Sequence, residues 1–140
     1  MDVKHHRQSK PEAAKLICGP IEHKSINDCA VVAVVAVTGK PYEFVASELR
    51  YSPRHGVMCC HLDAFLSAEG FTRQPIPRRG QDKMTGLIRL TSGSKFSVGH
   101  LVIIVNGLIF DGFVKGMPIA EYRAKHRRST VVAYWAKVAR

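Results

Sequence analysis

At 140 residues with 46% hydrophobic side chains, the chain has enough material for one globular domain with a real core. No apolar run approaches the roughly 18–20 residues of a helical membrane span, and the longest, residues 30–37, stops at Thr38-Gly39. The net charge of +10 steers nucleic acid, acidic proteins or anionic surfaces toward the chain, although a solvated basic face is the commoner reason for such a charge.

Residues 1–10, with Lys4-His5-His6-Arg7, read as a flexible basic arm, and residues 11–140 as a single α+β domain. The arm is charged and carries no apolar targeting segment, so the four cysteines point to a reducing, cytoplasmic setting. Residues 11–17 suit a short helix ended by Gly19-Pro20, and residues 21–28 a loop. Residues 29–37 follow, rich enough in valine that a buried strand rivals a helix; the capping types Asn27 and Asp28 favour the helix. Pro41 suits the first position of a second helix over 42–50, striped by Phe44, Val45 and Leu49. A third helix spans 57–68, with Met58, Cys59, Leu62, Phe65 and Leu66 at core spacing.

A short strand is expected over 71–76 before Pro75, Pro77 and Gly80 break the pattern, and another over 86–91. Residues 92–99 form a polar loop. Two β-branched runs then flank Asn106-Gly107, a strong hairpin signal. With those two residues as a type I′ turn, Val105 faces Leu108 and Ile103 faces Phe110. Residues 117–125 read as a helix, and residues 131–138 as a closing strand with Tyr134 and Trp135 on opposite faces. Helices first and an antiparallel sheet after is an α+β order.

Three residues carry the chemistry. In Ser25-Ile26-Asn27-Asp28-Cys29-Ala30 a polar stretch turns into the apolar run, so Cys29 falls at a helix start, where the helix dipole favours thiolate. The hairpin places His100 and Asp111 on one face as diagonal neighbours, roughly 7–8 Å apart at Cα. A carboxylate there can hold the imidazole in one tautomer, leaving the other ring nitrogen to act as base for a thiol. Taken singly, Cys29 reads as a buried thiol and His100 as a residue satisfied by backbone; the joint pattern is what points to catalysis.

In this order of residues, and in the strings Asn27-Asp28-Cys29-Ala30-Val31 and Gly99-His100-Leu101-Val102, the chain resembles the papain-like cysteine peptidase superfamily. The closest likeness is to its small bacteriocin-leader-peptidase, NlpC-type and phage-encoded members, over about residues 25–113. The resemblance implies a papain-like α+β fold, N-terminal helices packed on a C-terminal antiparallel sheet, and a Cys29-His100-Asp111 triad acting on a peptide or amide bond. If the protein is phage-encoded, its location is the host cytoplasm or the virion. Many members place a Gln six residues before the Cys as oxyanion donor; here that position is His23, so His23 or Asn27 joins the Cys29 N–H, and Asn27 reads equally well as a helix cap.

No cofactor is expected. Cys18, Cys59, Cys60 and His61 form no C-x-x-C pair, and core packing of Cys59 outweighs a metal cluster. The segment Thr91-Ser92-Gly93-Ser94-Lys95 lacks phosphate-loop spacing, and there is no G-x-S-x-G elbow. Basic residues gather at Arg78 and Arg79, and at Arg123, Lys125, Arg127 and Arg128. They support a second reading, a non-catalytic papain-like module that docks on nucleic acid or an acidic protein, without a recognised nucleic-acid motif.

Overall fold

The first helix, α1 (Cys29–Thr38), is buried on every side: each residue from Ala30 to Val37 is in the core. That is why its sequence carries no stripe that separates helix from strand. Small, unbranched alanines alternate with valines, so the helix lies close against both neighbours, the strand β3 (His100–Val105) and the helix α2 (Tyr42–Glu48). These elements belong to a computed structural model that describes residues 16–91, 100–112, 114–125 and 130–137. The basic arm, most of the expected helix over 11–17 and the polar loop 92–99 lie outside the described residues.

The chain is α+β. Beside α1 and α2 come α3 (Cys59–Ala68) and α4 (Ile119–Lys125). The remaining strands are β1 (Phe71–Arg73), β2 (Gly86–Thr91), β4 (Leu108–Phe110), β5 (Lys115–Pro118) and β6 (Thr130–Lys137), and a 3-10 turn covers Gln81–Lys83. The six strands form one open antiparallel sheet in the order β1-β6-β2-β3-β4-β5.

Strand alternation sorts side chains into two cores. Leu87, Leu101, Ile103, Ala133 and Trp135 meet α1, α2 and α3 on one face. Ile88, Leu90, Val102, Ile104 and Ile109 meet α4 through Ile119 and Tyr122 on the other. The β2–β6 register shifts so that Leu90 opposes Val131 and Arg89 opposes Ala133. The extra residue, Val132, is a bulge, and it sends Val131 and Ala133 to opposite cores. Tyr134 and Trp135 fall on opposite faces as expected, and the Trp135 indole N–H donates to Asp63 of α3 at 2.7 Å, pinning that helix to the sheet.

The hairpin has the expected register, with Val105 opposite Leu108 and Ile103 opposite Phe110. Asn106 and Gly107 both take left-handed backbone angles (φ 47° and 77°), as a type I′ turn requires. The Gly107 N–H donates to the Met84 carbonyl at 3.0 Å and its own carbonyl accepts from Ile119 N–H at 2.8 Å. The turn is therefore clamped between the 3-10 segment and α4, which fixes the strand that carries His100.

Some elements differ from their sequence expectation. The second helix ends at Glu48 and the third begins at Cys59; Met58 is 63% exposed rather than on the core face. Strand pairing after Phe71 stops at Arg73, before Pro75. Residues 115–118 form a strand, not the start of a helix: Lys-Gly-Met-Pro has weak strand propensity and is held by pairing with β4 at the sheet edge, where Pro118 is tolerated. No described helix is long and apolar enough to cross a membrane.

Candidate active site

Cys29, His100 and Asp111 come together where the start of α1 meets the starts of β3 and the post-β4 turn. They line one small cavity with His23 and Gly112. The Cys29 thiol is hydrogen-bonded to His100, and the N–H groups of Leu101 and Ala30 point to its sulfur. Burial pushes the thiol up, but the His100 bond, these two N–H groups and the imidazolium charge outweigh it and hold it below the ordinary thiol range. Burial pushes His100 down; the Asp111 carboxylate and the Cys29 sulfur outweigh that and raise it to about 9. Both directions favour a thiolate–imidazolium pair over the neutral one.

His100 Nε2 lies 3.7 Å from Asp111 Oδ2, within ion-pair range and longer than a linear hydrogen bond. Asp111 is itself fixed on both oxygens. Val114 N–H donates to Oδ1 at 2.8 Å, and the Tyr122 hydroxyl of α4 donates to Oδ2 at 2.9 Å. Burial and the Asp111 charge hold that hydroxyl firmly protonated.

Asp28 occupies the N-cap position of α1, yet its side chain makes no cap hydrogen bond. The carboxylate turns back on the preceding loop instead. Oδ2 accepts from Lys24 N–H (2.9 Å), Ser25 N–H (3.1 Å) and the Tyr42 hydroxyl (2.9 Å), and Oδ1 pairs with His23 Nδ1 at 2.7 Å. Asp28 is 1% exposed. Burial raises its carboxyl, but the His23 bond and the other three donors outweigh that, leaving it below the ordinary range. The far edge of the His23 ring packs on Gly112: a Cβ there would sit 2.1 Å from Cδ2 and 2.7 Å from Nε2. Glycine next to Asp111 is what admits the ring into the cavity of Cys29.

Asn27, the other oxyanion candidate, is in the left-handed region (φ 57°) and its Nδ2 donates to the Pro53 carbonyl at 2.8 Å. Its amide is committed to the 52–56 loop. Of the basic residues, Arg78, Arg79 and Lys125 are exposed, and Arg123 donates to Gln81 Oε1 at 3.3 Å; Arg127 and Arg128 lie outside the described residues. None of the four cysteines is in a disulfide, and the described residues contain no cluster of three His, Cys, Asp or Glu arranged to hold a metal.

The sequence reading missed Tyr42, Tyr122 and Arg89, and it took Asp28 for a cap. Tyr42 and Tyr122 reach their carboxylates from 14 and 11 residues away, so no local pattern announces them. Arg89 had a signal: a lone charge inside the apolar run of β2, an interior strand. No family model, curated protein or solved structure matches the chain.

Proposed function

We propose that the protein is a small papain-like thiol hydrolase acting on a peptide or amide bond. One observation carries the reading: Cys29 at a helix start is hydrogen-bonded to an imidazole that an anchored carboxylate faces from the other side. In this reading the Cys29 thiolate attacks the carbonyl carbon, and the imidazolium of His100 passes its proton to the leaving amine. His100 then takes a proton from water, which adds to the thioester, and the thiolate is released with the acid product. Asp111 keeps His100 oriented and supports its charge. The Cys29 N–H serves as one oxyanion donor, and His23, whose ring lines the same cavity, is the candidate for the second.

The test is iodoacetamide labelling of the whole chain at about pH 6, well below the ordinary thiol range. Stoichiometric modification at Cys29, lost in His100→Ala, is the expected result, together with release of new termini from a peptide library that Cys29→Ala does not produce. An inert Cys29 at that pH overturns the reading.

A second reading keeps the fold without the reaction. Arg123 of α4 bonds to Gln81, which follows the Arg78-Arg79 loop, so basic residues of two elements share one surface. Docking on nucleic acid through that surface predicts retention that falls steeply with salt.

A further inference from the structure

We propose that the cleft on the Arg89 side of Cys29 is a subsite for a substrate carboxylate, of an acidic side chain or of a chain end, close to the scissile bond. The inference rests on the thiol-hydrolase reading and gives it a substrate class.

Cys29 borders two cavities. One holds His23, His100 and Asp111; the other is lined by Asn27, Val57, Cys59 and Arg89. In β2, alternation puts Arg89 on the same face as Leu87, the face covered by α1 and α3. Arg89 is half-buried there, and a guanidinium partly withdrawn from water favours an anionic partner. Among the described residues the ion pairs join His23 to Asp28, Lys40 to Glu69, Arg73 to Asp63 and His100 to Asp111, and none includes Arg89. Its one hydrogen bond runs from Nη1 to the Cys59 sulfur, a weak acceptor.

Cys59 is also the first residue of α3, whose N-cap Met58 supplies no side-chain bond. Among the described residues the lining of the cleft thus holds a cation with no carboxylate partner, beside the positive end of a helix. Its rim is apolar and open: Met58, between the lining residues Val57 and Cys59, is 63% exposed, and Ile26, next to Asn27, is 70% exposed. A carboxylate on a short aliphatic stem matches that arrangement. It replaces a weak sulfur acceptor with a charge-assisted, bidentate one.

The test uses the full chain and dipeptidyl chloromethyl ketones differing in one side chain, Glu, Gln or Leu, at either residue. Alkylation of Cys29 is followed by mass spectrometry, with iodoacetamide as a probe that has no side chain. At one of the two positions the Glu probe is expected to react about tenfold or more faster than the Gln probe, the discrimination of a charge-assisted hydrogen bond. Arg89→Gln should erase that preference while leaving the iodoacetamide rate within about twofold, because uniform binding and thiol reactivity are separable. Arg89→Lys, which keeps the charge but not the fork, should retain part of the preference and serves if the Gln variant does not fold.

Protection of Cys29 by short peptides with a free terminal carboxylate, but not by their amides, assigns the carboxylate to a chain end; a Glu preference assigns it to a side chain. Equal Glu and Gln rates without such protection, with Cys29 still labelled fast by iodoacetamide, overturn the subsite and leave the hydrolase reading standing. An acid preference that survives Arg89→Gln overturns it as well. Failure of iodoacetamide to label Cys29 overturns the hydrolase reading itself.

Discussion

At the residue scale two carboxylates hold the two imidazoles that line the cavity of Cys29. Asp111 faces His100, and Asp28 holds His23. The imidazole of His23 is held at Nδ1 by Asp28 and at its far edge by Gly112, so replacing it tests the oxyanion role directly. His23→Ala should lower kcat by about 10²–10³ with KM little changed, the loss seen for a missing oxyanion donor. His23→Gln should recover most of that activity, since an amide N–H₂ offers a donor from the same position. Steady-state kinetics of the two variants decide it; equal losses would remove His23 from the oxyanion site.

The proton inventory of the pair gives a pH profile at the same scale. Cys29 is held below the ordinary thiol range by His100, Leu101 and Ala30 against its burial, and His100 is raised to about 9 against its own. The active form, thiolate with imidazolium, therefore persists from below the ordinary thiol value up to about 9, and hydrolysis should fall above about 9 as His100 loses its proton. Asp111→Asn removes a carboxylate that supports the imidazolium, so the alkaline fall should move to lower pH. Rate–pH profiles of wild type and variant check both statements.

At the element scale the site is assembled by a hairpin and by what clamps it. The Asn106-Gly107 turn sets the β3–β4 register, and that register brings Asp111 back toward His100. Helix α4 adds Tyr122, whose hydroxyl donates to Asp111 across the second core. Tyr122→Phe keeps the ring and deletes that donor, leaving a nearly buried carboxylate short of one bond. We expect a loss of about 1–3 kcal/mol in unfolding free energy, the cost of an unsatisfied buried group, and a lower kcat; denaturant titration and kinetics measure the two separately.

The hairpin was legible because a two-residue turn with a left-handed requirement leaves few sequence solutions, and the rest of its register follows by counting. Helix α1 was legible only as a buried segment, since a helix covered on every side shows no period. Strand β5 was not legible at all, because Lys115 to Pro118 are held by pairing with β4 and not by their own propensity. The residues of the proposed triad stood at readable places, at element starts beside a turn. The groups that fix them did not: Asp28 was read as a local cap, while its actual partners arrive from the loop before it and from α2.

At the scale of the whole molecule the sheet separates two cores, and the cavity of Cys29 is lined from both, with Ile103 of the first and Val102 of the second; the Tyr42 hydroxyl bonds Asp28 and the Tyr122 hydroxyl bonds Asp111. A chain with a net charge of +10 gains further positive charge as acid protonates its carboxylates, so the groups with depressed values set its acid limit. Asp28 is such a group. In the unfolded chain a carboxyl titrates near ~3.9, whereas the folded value is lower, so the folded state binds fewer protons across that interval. Its contribution is present above about pH 4 and is lost as pH falls through the folded value.

Asp28→Asn keeps the volume but sets an amide N–H₂ against donors from His23, Lys24, Ser25 and Tyr42. At pH 7 the variant should be less stable by about 2–3 kcal/mol, the cost of buried donors left without an acceptor. The difference should narrow below about pH 4, as the wild-type carboxylate takes up its proton and loses the same advantage. Denaturant titrations from neutral to acid pH measure the gap directly. A gap that stays constant across the series would mean that Asp28 acts through shape alone, and that its charge does not hold the His23 loop.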